Sequence, residues 1–162
     1  MIKQIWTVRS LQKLFNGLSF AVCAFNLFYT SLTLTVLPDT VLWGWHAAEG
    51  NMASKYQLLL FPAISLVICC LLYREARRAK PLADREGQKP DSAEVKQRQQ
   101  RYRSEMYTGL NFLCTLFLFF FQIDYLNIAK QIPGFSKLIL ILILAAMVGY
   151  LIYAVRKIVT AK

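Results

Sequence analysis

Histidine occurs once in 162 residues, at His46, and acids number only nine against nineteen lysines and arginines. A catalytic zinc site normally takes three protein ligands, with histidine prominent among them, so a lone histidine argues against a zinc hydrolase. Cysteine is sparse as well: Cys23, Cys69, Cys70 and Cys114 all fall inside apolar runs. None lies where an oxidising compartment would reach it, so a disulfide framework is not expected. The adjacent Cys69 and Cys70 point in different directions on a helix and lack the spacing of a redox or zinc pair. No cofactor motif and no internal repeat between the two halves is found. Charge is also missing from the middle of every long apolar run, which leaves a transport pathway without the buried ion it normally uses.

What is present is hydrocarbon-like sequence. Hydrophobic residues make up 56% of the chain and the mean hydropathy is +0.39, too apolar for a water-soluble domain of this size. A hydrocarbon layer about 30 Å thick takes about 20 apolar helical residues. Four runs meet that need, at about residues 14–36, 56–73, 107–128 and 138–155. The first has a basic start but is longer than a signal-peptide core and has no small-x-small cleavage site, so it is expected to stay as a span. Backbone groups in lipid must be satisfied internally, and short connections reverse direction. The expectation is therefore an all-α, polytopic membrane protein: one domain, folded as a four-helix antiparallel bundle.

Basic residues give the expected orientation. Three precede the first run, ten lie between Arg74 and Glu105, and three follow the fourth run; the other two loops hold only Lys55, Lys130 and Lys137. That bias places both termini and the middle loop, residues 74–106, in the cytoplasm, and the loop 37–55 outside a plasma membrane. Nucleic acid is not the expected partner, because the basic residues flank the spans and the middle loop also carries six acids. Anionic lipid headgroups are the simpler attraction. Within the middle loop, residues 74–80 are expected to extend the second helix as far as Pro81. Residues 81–91 read as a linker, and the third helix is expected to start near Ser92.

Weakly polar residues recur at helical spacing inside the runs. Asn16, Ser19, Cys23, Asn26, Thr30 and Thr33 share a face of the first, Ser65 and Cys69 of the second, Thr108, Asn111, Thr115 and Gln122 of the third. Ala145 and Gly149 form a small-xxx-small pair in the fourth. Lipid supplies no hydrophobic drive between helices, so these faces are expected to meet inside the bundle. Lining a polar pathway is the functional alternative. Asp124 falls roughly 25 Å along the third helix from Tyr107, near the outer interface, where Lys130, Lys137 or water would partner it.

The stretch LPDTVLWGWHAAEGNMASK, residues 37–55, holds the remaining candidates. Trp43 and Trp45 suit the interfacial belt of aromatic residues. His46 and Glu49 would share a face of a helical turn, and Asp39 would complete three potential metal ligands. The match is only H-x-x-E, so no metal is assigned. With Asp124, these five residues are the candidate ligand-binding set.

The order Leu37, Pro38, Asp39, Val41, an aromatic and His46, then Gly50, Ser54, Lys55 and a helix containing Pro62, resembles the SdpI-like family of bacterial membrane proteins, over roughly residues 25–75. The basic approach RQQRYRSEMY to the third run is similar in style. Leu42 stands where the family has proline, Gly44 where its histidine would fall without a gap, and no catalytic role is carried over. The resemblance implies a multi-pass plasma-membrane protein, whose best-known relative confers immunity to a secreted peptide toxin and signals its presence. Three functions are expected in this order: a non-enzymatic protein binding a ligand or peptide through its outer loop, a subunit or assembly factor of a larger membrane complex, and a membrane enzyme acting on lipid at the outer interface.

Overall fold

A computed structural model of the chain describes residues 2–42, 52–79, 93–133 and 137–160, with side chains placed from Ser10 onward and not at Leu42. It is helical apart from one short strand pair. The order is α1 (Ile2–Val36), β1 (Thr40–Leu42), β2 (Met52–Ser54), a 3-10 turn (Lys55–Leu59), α2 (Leu60–Arg78), α3 (Ala93–Ala129) and α4 (Lys137–Val159). Among the described residues, four helices are long and apolar enough to cross a membrane.

Local sequence sets the ends of these helices. Leu37 precedes Pro38, whose ring disfavours helical geometry in the residue before it, and α1 stops at Val36. The 37 residues of α3 would span roughly 55 Å, well beyond a hydrocarbon layer, and its charged first third starts at Ala93 as the composition of that segment suggests. The α3 carboxyl end closes with two return bonds, from the Ile132 N–H to the Asn127 carbonyl at 2.9 Å and from the Gln131 N–H to the Ile128 carbonyl at 2.9 Å. That closure puts Gln131 in the left-handed region, φ 58°, where glycine is the usual occupant. Replacing Gln131 with glycine should therefore stabilise the fold by about 1 kcal/mol, read as a raised unfolding midpoint in detergent.

The packing is inverted relative to a water-soluble protein. Ser19, Asn26, Thr30, Ser65, Asn111 and Gln122 are essentially fully buried, while Phe25, Phe28, Ile64, Val67, Ile141 and Leu142 are exposed. In water, that distribution would forgo the main drive to fold. α3 lies against each of the other helices, and α4 packs chiefly on α3. Contacts pair Asn16 with Asn111 and Thr30 with Gln122 between α1 and α3, Cys23 with Ser65 between α1 and α2, and Tyr150 and Lys157 with Glu105 between α4 and α3.

The expected stripes on α1, α2 and α3 do face inward. The pair on α4 does not: Ala145 and Gly149 are exposed, and nothing lies within 4 Å of where a Gly149 Cβ would be. The close approach of α3 and α4 is made instead at Gly109, where an added Cβ would run into the Tyr150 ring.

Candidate functional site

The loop after α1 returns through a strand pair rather than a plain turn. β1 and β2 are antiparallel, with Thr40 opposite Ser54, Val41 opposite Ala53 and Leu42 opposite Met52. Three residues a side cannot hold a hairpin by themselves. Beneath it, Leu37 and Val41 join Leu34, Leu58, Leu126 and Ala129 in an apolar cluster, with Tyr29 and Tyr125 packed against its edge. The stem is thus seated on three helix ends.

Lys55 closes the stem. Its Nζ donates to the Leu37 carbonyl at 3.2 Å and pairs with the Asp39 carboxylate at 3.1 Å, and its backbone N–H donates to the Asp39 carbonyl at 3.0 Å. The Asp39 side chain is 92% exposed, so the ion pair itself adds under about 1 kcal/mol. Its geometric effect is larger than its energy, because three bonds from one residue fix where the two strands leave the helix ends.

Asp39, offered by the sequence as a third metal ligand beside His46 and Glu49, is therefore engaged with Lys55. Trp43, Trp45, His46 and Glu49 lie outside the described residues. Asp124 is buried, at 5% exposed, five residues before the end of α3. Among the described residues, no three His, Cys, Asp or Glu side chains gather as a metal site would require.

Below the hairpin, Gln122 ties the three helices together. Pro62 has no N–H to offer the carbonyl four residues before it, that of Leu58. Gln122 Nε2 donates to that carbonyl at 3.2 Å and to Thr30 Oγ1 at 3.1 Å. That acceptor is thus satisfied from a neighbouring helix, and Gln122 is the donor. Further along, Cys23 Sγ lies 3.5 Å from Ser65 Oγ, and Asn111 Nδ2 donates to Asn16 Oδ1 at 3.4 Å. Asn26, between these levels, has neither side-chain polar atom bonded to protein, although it is 1% exposed.

The sequence reading did not place Lys55 or Glu105 in the candidate site. Lys55 carried a signal, being the sole cation in a segment of nineteen residues, 37–55. Glu105 was hidden among the many charges around it. Comparison with protein-family models, with curated proteins and with solved structures finds no match, so the likeness to the SdpI-like family rests on the quoted residues alone.

Proposed function

We propose that this is a small, non-enzymatic, multi-pass plasma-membrane protein of the immunity or sensing type. Four helices thread the bilayer alternately up and down, with both termini inside. The outer loop, carrying Trp43, Trp45, His46 and Glu49, meets a ligand or peptide at the membrane surface. One observation carries the reading. The loop springs from a stem that Lys55 and the apolar cluster hold in place, which is the preorganisation a recognition loop needs to avoid losing ordering entropy on binding. The polar interior and the apolar outer surface support lipid as the surrounding solvent. Asn16 meets Asn111 and Thr30 meets Gln122, so α1 and α3 run in the same direction, while Tyr150 and Lys157 in the second half of α4 reach Glu105 in the first half of α3; both relations support the alternating path. Anionic inner-leaflet lipid suits the basic side.

The test is affinity capture of the full chain in mild detergent, with captured molecules identified by mass spectrometry. A ligand held by the wild type should be lost in steps in Trp43→Ala and Trp45→Ala, each by roughly tenfold, as buried aromatic anchors behave. Lys55→Met should weaken the same capture by about threefold. Capture that is unchanged in all three variants would remove the loop from recognition. A turnover activity abolished by His46→Ala would point to the enzyme instead.

A further inference from the structure

At the end of the bundle away from the hairpin, a groove of about 630 Å³ lies between α1, α3 and α4. That size is within the range of small-molecule sites, roughly 300–1,000 Å³. Its walls are apolar. Leu11 and Phe15 come from α1, Phe112 and Leu113 from α3, and the rings of Phe15 and Phe112 meet with centroids 5.2 Å apart.

The mouth is charged. Glu105 takes a hydrogen bond from Arg101 Nε at 3.1 Å on one oxygen and from Lys157 Nζ at 3.1 Å on the other. The Lys157 ammonium also sits 4.2 Å from the Tyr102 ring centre. Two cations against one carboxylate leave the mouth with one positive charge in excess. All three side chains keep contact with solvent, at 38% exposure for Arg101, 34% for Lys157 and 22% for Glu105. Along α3, Arg101 to Leu113 covers roughly 18 Å, close to the roughly 15 Å depth of one leaflet's hydrocarbon.

We propose that this groove holds a single anionic phospholipid of the inner leaflet, with an acyl chain along Phe15, Phe112 and Leu113 and the phosphate at Arg101 and Lys157. The inference rests on the four-crossing reading, which puts this end of the bundle on the cytoplasmic side. Charge and shape select the occupant together. A free phosphate would leave the apolar walls unused, and a zwitterionic lipid would bring its own cation up to Arg101 and Lys157. Glu105 holds the two cations in place at the mouth and at the same time opposes the arriving anion.

That double role gives a test by sign. The full chain, purified in detergent, is offered phosphatidylglycerol and phosphatidylcholine in equal amounts and examined by native mass spectrometry. The wild type should retain one phosphatidylglycerol with about fivefold preference, the scale of one charge at a lipid surface. Arg101→Gln with Lys157→Gln should abolish the preference. Glu105→Gln should raise it severalfold, whereas a carboxylate serving only the fold would lower it. Leu113→Trp fills the groove without touching a charge and should reduce retention of both lipids. Equal retention of the two lipids by the wild type would overturn the proposal, as would a preference unmoved by Arg101→Gln with Lys157→Gln, or displacement by inorganic phosphate. A chain that stays dispersed without any amphiphile would overturn the four-crossing reading as well, so the two failures are distinguishable.

Discussion

Gln122→Leu lowers the stability of the detergent-solubilised protein by about 2–3 kcal/mol, measured as the shift in its unfolding transition. An ordinary interhelical hydrogen bond in a membrane protein contributes only about 0.6 kcal/mol, and losing two would account for roughly 1.2. The remainder comes from the Leu58 carbonyl, which Pro62 has already denied its helical N–H and which Gln122 Nε2 reaches at 3.2 Å. A buried acceptor left without a donor costs about 1–3 kcal/mol. The origin of the excess is testable by a double-mutant cycle. Pro62→Ala supplies an N–H to Leu58, so in that background Gln122→Leu should cost less by at least about 1 kcal/mol. Strict additivity of the two substitutions would mean that Gln122 serves some purpose other than covering the proline gap.

Gly109→Val is expected to be more damaging, by about 3 kcal/mol or beyond, with the loss concentrated in the docking of α4 onto α3. A Cβ at position 109 runs into the Tyr150 ring, and Tyr150 cannot swing aside freely because its hydroxyl donates to the Glu105 carbonyl at 2.9 Å. Apart from Lys157, which meets Glu105 and the Tyr102 ring, α4 is held mainly through its buried residues Leu140, Ala154 and Ile158. Proteolysis or hydrogen exchange should show α4 loosened while α1, α2 and α3 stay protected. Gly149→Val is the control, since open space surrounds that position, and it should be nearly neutral. Equal damage from the two valines would contradict this account of which glycine the fold depends on.

The contrast between those glycines also marks where the sequence was readable. The inward faces of α1, α2 and α3 could be found because Ser19, Cys23, Asn26 and Thr30 repeat at three and four, and periodicity is a local property of the chain. Ala145 and Gly149 fit a small-residue motif equally well, but a motif does not say whether a partner helix lies on that side. On α4 it does not, and Gly109, with no such motif, makes the close contact. The hairpin was hidden for another reason: strands of three residues are too short for a pattern of two to register, and their pairing depends on Lys55 reaching Leu37 and Asp39. The link from Pro62 through Leu58 to Gln122 joins residues 64 positions apart, which no local reading could supply. Asp124 was legible as an unusual acid, whereas its burial follows from how α3 is rotated against its neighbours.

The central claim is that lipid surrounds a chain crossing the bilayer four times, with its hairpin outside and its charged end within. Single cysteines at position 46 and at position 85, each in a background with the four native cysteines replaced, test it in intact cells with a membrane-impermeant thiol reagent. The account predicts labelling of position 46 in intact cells and of position 85 only after lysis. Labelling of 85 without lysis, or of 46 only after it, would contradict the account.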